Sequence, residues 1–366
     1  MKKVYLDQMT LTTCCPTTAG SKMLESFVSP FGATVVEKLK AADFEIGGKV
    51  AVGEFAIDLV GETSATDTSV NAAGVLEGGA NAVLMLDVNG APRRIAAQNG
   101  FVFAKPTYGI VSRFGIIPVA CSGECVGVMA KNVADCREVL SVVVGKDDRD
   151  GTMHADEVCH SALANSKEIE KVAVLGMDAD SDAVKAAVAA LTANGIALTE
   201  VDAGDIAAAS AAWNILMSAE LCNNVSRYDG IKYGYRTKNY KNLDELYTNS
   251  RSEAFGELLK TAILYGSDVL STKNYMAKYD KALRVRRVIV EAFAKLLGEF
   301  DAVLMPAVSK MAYTEDDSAF VENKFTAPAS ITGLPAVVID GVQLMSAAFT
   351  DGQLLALAAL LEKEGK

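Results

Sequence analysis

Residues 171–201, KVAVLGMDADSDAVKAAVAALTANGIALTEV, decide the fold class, because they read as strand, helix and strand in turn. Lys171–Leu175 is a short apolar run of the kind that fills a strand buried on both faces. Asp180 or Ser181 can accept the free N–H groups that open a helix, and Val184, Val188 and Leu191 recur on one face of it. Asn194-Gly195 supplies the left-handed residue that ends a helix, and Ala197–Val201 follows as a second strand. Strands alternating with helices are the units of an α/β sheet.

Working outward, a long helix is expected from Asn274 to Phe300, where Ala282, Val285, Ile289, Phe293, Leu296 and Phe300 step by three or four. Asp301–Pro306 reads as a strand and its stop. The tail from Gly352 to Glu364 is rich in Leu and Ala at helical spacing, the pattern of a helix docked on a sheet. Only 8 prolines are scattered along the chain, with no Gly/Ser-rich linker and no short repeat. The expectation is one continuous domain over residues 1–366, of α/β class, with helices on both faces of a large sheet.

Lys and Arg number 35 against 46 Asp and Glu, a net charge of −11, and 50% of the residues are hydrophobic. That balance excludes a disordered chain and disfavours direct nucleic-acid binding, which calls for basic surface. No apolar run approaches the ~18 residues of a membrane-spanning helix. The start MKKVYLDQMT has a charged tip but continues into Asp7, Gln8 and several threonines, so the expected location is cytoplasmic.

The seven cysteines at 14, 15, 121, 125, 136, 159 and 222 are an odd number, which argues against a disulfide framework. His154 and His160 flank Cys159 without any C-x-x-C, so neither a metal site nor a cofactor is expected. Adjacent Cys14 and Cys15 lack both C-x-x-C geometry and a visible local positive field, and inert thiols are the simpler reading.

Familiar catalytic signatures are missing: there is no G-x-S-x-G, S-x-x-K, G-x-x-x-x-G-K-[ST] or H-E-x-x-H. The segment 84–100, LMLDVNGAPRRIAAQNG, puts an acid and a small-residue turn after a strand. There, backbone N–H groups can converge on an anion, although an ordinary Asn-Gly turn satisfies the same residues. Lys105-Pro106-Thr107-Tyr108-Gly109 and Ser226-Arg227-Tyr228-Asp229-Gly230 punctuate apolar segments as polar, aromatic loops. Lys105 and Arg227 read as surface or loop-fixing residues. Tyr228, Tyr233 and Tyr235 either line a cleft or pack.

These loops carry a resemblance. KPTYGIVSRFG at 105–115, SRYDGIKYGYR at 226–236 and NLDELYTNSRSEAFGE at 242–257 resemble the amidase-signature family, and within it the glutamyl-tRNA(Gln) amidotransferase A subunits. SKMLESFVSPFGATVVEKLKAADFEIGGK at 21–49, ITGLP at 331–335 and the tail Gln343–Leu360 extend the similarity in the family's order. The resemblance implies a single α/β domain around a large mixed sheet, with a cleft over the sheet. It also implies that the family's N-terminal helical region is absent.

In that family a lysine, a serine in a cis peptide and a nucleophilic serine form the triad. By resemblance the lysine position falls on Leu6, next to the matching Asp7. The cis-serine position falls on Asp67 or Thr68 within the shortened segment 66–75, and the nucleophile position falls on Ala91. Asp87, Gly90 and Arg93 match the nucleophile block, while Val88 and Asn89 interrupt its glycine-rich run. The paired arginines that hold a substrate carboxylate fall on Thr261 and Ala262, and the aspartate for its ammonium on Asn323. The cleft candidates are thus Asp87, Asn89, Gly90, Ala91, Arg93, Thr107, Tyr108, Tyr228, Tyr233, Thr261 and Asn323.

The resulting expectation is a catalytically inactive amidase-fold protein with a binding or scaffold role, and with partners resembling the B and C components of the amidotransferase. One alternative is a weakly active amidase or glutamine amidotransferase component. Another is relocated chemistry, with Cys14, Cys15, Cys121 or Cys125 as nucleophile and His154 or His160 as base.

Overall fold

Residues 82–87 show how the sheet is built: Ala82, Leu84 and Leu86 face one core, Val83 and Met85 another. Successive side chains of a strand point to opposite faces, so a run apolar at every position belongs between two layers. The computed structural model describes residues 2–165, 167–177 and 181–362.

Its strands are β1 (Lys3–Asp7), β2 (Glu45–Val50), β3 (Ala82–Asp87), β4 (Val102–Lys105), β5 (Cys125–Ala130), β6 (Lys171–Gly176), β7 (Ala197–Asp202), β8 (Ala302–Pro306), β9 (Ala336–Ile339) and β10 (Val342–Ser346). They form one ten-stranded mixed sheet in the order β2-β1-β3-β5-β4-β9-β10-β8-β6-β7. The outer thirds, β2-β1-β3 and β8-β6-β7, are parallel, and the strands between β3 and β8 pair antiparallel. β9 and β10 form a hairpin whose Asp340 and Gly341 both have positive φ, 45° and 84°, the requirement of its tight turn. The register of β2 on β1 shifts between Val4 and Tyr5.

Helices cover both faces, as expected. On one, Ala96 and Ala97 of the helix Ala91–Asn99 and Leu76 of the helix Ala72–Glu77 pack on Phe103, Met129 and Val338. The larger core on the other face includes Leu39, Val139, Trp213, Phe293 and Leu355, each from a different helix.

The decisive stretch folds as read. β6 and β7 are parallel neighbours, Ser181 Oγ accepts from Val184 N at 3.2 Å, and Gly195 takes φ +82° after the helix Asp182–Ala193. Asp180 lies outside the described residues. The long helix starts later than expected, at Tyr279, and runs to Glu299. Asn274 Nδ2 and Lys278 Nζ both bond the Asp268 carboxylate, at 2.8 and 2.5 Å, folding the segment before it back onto the helix Glu257–Leu270. The C-terminal helix spans Asp351–Ala359 and buries Leu354, Leu355, Leu357 and Ala358, while Glu364 lies outside the described residues. Among the described residues no helix is long and apolar enough to cross a membrane.

Candidate functional site

β3 ends in Asp87, and the chain turns through Val88-Asn89-Gly90 into the helix Ala91–Asn99. Gly90 makes that turn possible: its φ is +88°, and a Cβ there would sit 2.3 Å from Thr326 Cβ. Its N–H donates to Asp87 Oδ1 at 3.0 Å. Pro92, early in the helix, has no N–H to offer.

Asp87 and Arg93 are fully buried and paired, with Arg93 Nε donating to Oδ2 at 2.6 Å and Nη2 to Oδ1 at 3.2 Å. The remaining guanidinium bonds reach Thr326 O (2.7 Å), Gln343 Oε1 (2.9 Å) and Ser330 Oγ (2.8 Å). A buried ion pair needs such satisfaction to offset its desolvation. Arg94 is equally buried and donates to the carbonyls of Asp58, Leu59 and Asn89 and to Thr326 Oγ1. The two arginines clamp the loop around residue 58 and the 326–330 segment onto the start of one helix.

A chain of amides lies alongside. Asn89 Nδ2 donates to Ile57 O and Ala319 O, both at 3.1 Å, while its Oδ1 accepts from Asn323 Nδ2 at 2.7 Å. Asn323 Nδ2 also donates to Asn214 Oδ1, and its Oδ1 accepts from Ser210 Oγ at 2.6 Å. The amides of Asn89 and Asn323 therefore find both donor and acceptor partners inside the protein.

The structure gathers Asp87, Asn89, Gly90, Ala91, Arg93 and Asn323 into this buried region. Ala91 puts a buried methyl at the first position of the helix. Leu6 is fully buried on β1, and its neighbour Asp7 binds Leu86 N through Oδ2 (2.6 Å) and Met9 N and Thr10 Oγ1 through Oδ1. That carboxylate fastens the end of β1 to β3, although burial pushes its pKa up.

The other candidates lie elsewhere. Exposed Thr68 lines a cavity of about 470 Å³ with Glu62, Asn71, Gln98 and Asn99, the last two at the far end of the helix that Ala91 opens. Thr107 is fixed by Asp351, N–H and Oγ1 both donating to its carboxylate at 2.8 and 2.7 Å. Tyr108 belongs to a separate cluster, donating to Cys121 O at 2.7 Å and accepting from Arg113, which pairs with Glu124. Tyr228 is buried against Phe55, with ring centroids 5.4 Å apart, and half-exposed Tyr233 meets it edge-on. Thr261 is exposed and bonds the Glu257 carbonyl of its own helix.

The two charged residues read as surface or loop-fixing separate here. Arg227 is exposed and bonds Asn224, as a loop-fixing residue should. Lys105 is not a surface residue: it is 1% exposed and donates to Pro106 O and Leu334 O, because the KPTYG turn folds inward beneath the ITGLP segment.

The cysteines are all free thiols. Burial pushes the Cys121 thiol up to about 11, and Cys125 also upward. Among the described residues no cysteine side chain is hydrogen-bonded to a histidine side chain. No group of three or more His, Cys, Asp or Glu among them could hold a metal ion. What sequence could not show is the hydrogen bonding around Cys14. Burial raises the Cys14 thiol, but hydrogen bonds with Cys15 and Thr12, helped by the charge of Lys40, bring it below its ordinary value.

The residues that sequence reading overlooked are Arg94, Ser210, Asn214, Thr326, Ser330 and Gln343. Gln343 carried a signal: it is the one amide in the apolar strand VQLMS. A polar side chain in a buried strand needs a partner, and here Gln343 receives Arg93.

The sheet order and the buried centre under its strand-to-helix turn define a class, the α/β proteins of amidase fold. The crystal structure of the glutamyl-tRNA(Gln) amidotransferase A subunit from Thermotoga maritima superposes with a TM-score of 0.79 and 28% identity, covering 99% of this chain and 83% of that one. The chain belongs to the amidase family, whose model matches residues 7–75 and 84–355. It is similar to the glutamyl-tRNA(Gln) amidotransferase A subunit of Acinetobacter baumannii, 35% identical over 382 aligned positions that cover 93% of this chain and 78% of the relative. The corresponding protein of Clostridium botulinum is 34% identical, with the same coverage.

Proposed function

We propose that this chain is a catalytically silent member of the amidase family that works as a binding or scaffold component in the cytoplasm. What supports the reading most is the self-satisfied centre: the amides of Asn89 and Asn323, the Asp87–Arg93 pair and the Gly90 N–H all bond one another or nearby backbone. A working acyl-transfer site directs such groups at a reacting carbonyl and its oxyanion. In the alignment by resemblance, the attacking hydroxyl is the methyl of Ala91 and the proton-moving amine is the isobutyl group of Leu6. Neither can attack or carry a proton.

The relatives are named as parts of a larger enzyme, which favours companions resembling the B and C components of the amidotransferase. With a net charge of −11, contact with RNA would run through such a companion. Ammonia release from glutamine by the purified chain, paired with native mass spectrometry of the tagged protein from its own host, tests the reading. The expected result is no release above buffer and a stoichiometric companion. Release that tracks the protein through purification overturns it. The family membership itself favours a second reading, a weakly active amidase or amidotransferase component, and the same release would establish it.

A further inference from the structure

Cys14 and Cys15 belong to none of the networks above, yet their surroundings are specific. Cys14 is exposed, Cys15 is half-buried, and their Sγ atoms lie 3.6 Å apart. Thr12 Oγ1 sits 3.3 Å from Cys15 Sγ. The largely buried ammonium of Lys49 ties together the two sides of this segment, donating to Thr10 O at 2.7 Å and to Thr17 Oγ1. Burial lowers Lys49 to about 8, and Cys15 heads the charges that oppose this, ahead of Asp7 and Cys14.

The sulfur separation discriminates among ligands. Two sulfurs 3.6 Å apart, each bonded at about 2.3 Å to one central atom, subtend an angle of about 100° there. That is the angle of a pyramidal or tetrahedral centre rather than a linear one. A direct disulfide fits worse, because neighbouring Cα atoms are about 3.8 Å apart across a trans peptide, below the usual disulfide span of about 4.4–6.8 Å. A tetrahedral metal would need further side chains, and no group of three or more His, Cys, Asp or Glu converges among the described residues. The centre that fits needs two sulfurs from the protein and brings its third substituent with it.

We propose that Cys14 and Cys15 form a vicinal dithiol site that captures a monosubstituted trivalent arsenical as a two-sulfur chelate. In the capture, two As–O bonds of the arsenical's hydrated form break and two As–S bonds form. Each thiol proton leaves on a departing hydroxide as water, and arsenic stays trivalent. The exposed Cys14 sulfur attacks first, and Cys15, held by Thr12, closes the ring. Against burial, hydrogen bonds with Cys15 and Thr12 hold the Cys14 thiol below its ordinary value, which favours the thiolate that bond formation requires.

Phenylarsine oxide added to the full-length chain tests this, read by intact mass and by the number of thiols still open to a maleimide. The wild type should gain one arsenical, lose two reactive thiols, keep the adduct through a large excess of 2-mercaptoethanol and release it to a 1,2-dithiol. Cys14→Ser and Cys15→Ser should each lose the adduct to the monothiol, whereas Cys121→Ser should behave as wild type. Thermal unfolding of each variant shows that the fold is retained, as expected for changes at an exposed turn. An adduct that survives the monothiol in both Cys14→Ser and Cys15→Ser overturns the proposal. So does a wild-type adduct lost as readily as theirs.

Discussion

Residues 82–105 and 171–202 each hold a strand, a helix and a second strand in that order, and each helix is followed by a glycine at positive φ, Gly100 at +67° and Gly195 at +82°. They differ in where their polar groups find partners. The helix of the second is capped by Ser181 from three residues away. The helix of the first has no side-chain cap, and its Arg93 is satisfied by Thr326, Ser330 and Gln343, which lie 233, 237 and 250 positions along the chain. The second is a unit of fold that stands on local rules. The first is where distant parts of the chain are joined.

The largest effect that separates them should come from Arg93→Met. Removing one partner of a buried pair leaves Asp87 an uncompensated charge, at a cost of about 3–5 kcal/mol. Urea unfolding should show this loss, and a loss below about 1 kcal/mol would mean that the clamp is dispensable.

Next comes the carboxyl of Asp58, in the loop that Arg94 holds. Burial, with the charge of Glu62 next in importance, pushes its pKa up to about 7, and its Oδ1 finds no hydrogen-bond partner among the described residues. The folded value lies above the unfolded one, so the stability that goes with the bound proton is complete below about pH 4 and is lost as pH rises through about 7. Asp58→Asn should therefore stabilise the protein at pH 8, by at most about 4 kcal/mol, and much less at pH 4. Equal effects at the two pH values would place the proton elsewhere.

Two glycine substitutions sharpen the contrast. Gly90→Ala meets Thr326 at 2.3 Å, whereas Gly195→Ala meets nothing within 4 Å, although both sites have φ above +80°. The second should cost about 1–2 kcal/mol from backbone strain alone, and the first about 3 kcal/mol from strain and crowding together. Differential scanning calorimetry of the pair checks the order. The smallest effect is expected from Ser181→Ala, about 1 kcal/mol for a lost cap, seen as a lowered midpoint of unfolding.

The same contrast explains what sequence could and could not reveal. The β6–β7 unit was legible because strand, cap, apolar face and terminating glycine lie within residues 171–202. The start of the long helix was misplaced by five residues, from Asn274 to Tyr279, because Asp268 in the preceding helix captures Asn274 and Lys278. In the central region Asp87, Gly90, Arg93 and Asn323 were found through their resemblance to family blocks. Nothing in local periodicity ties Asn323 to Asn89, a pairing that chain topology makes across 234 positions. Of the two readings of Lys105, surface or loop-fixing, only the second holds, since a charged residue next to Pro106 looks solvated until the Leu334 carbonyl closes over it.

The sheet is open, with β2 and β7 at its ends. An unpaired strand edge is a template for strands of other molecules. Here the two edges are guarded by unlike means. β2 carries the register shift against β1 and Gly48 at φ +134°, which twist its outer rim away from a flat ladder. β7 turns Glu200 and Asp202 outward, so a second copy arriving there would bring like charges face to face. The molecule thus carries insulation against fibre growth at both rims, one mechanical and indifferent to salt, the other electrostatic and weakened as salt is raised.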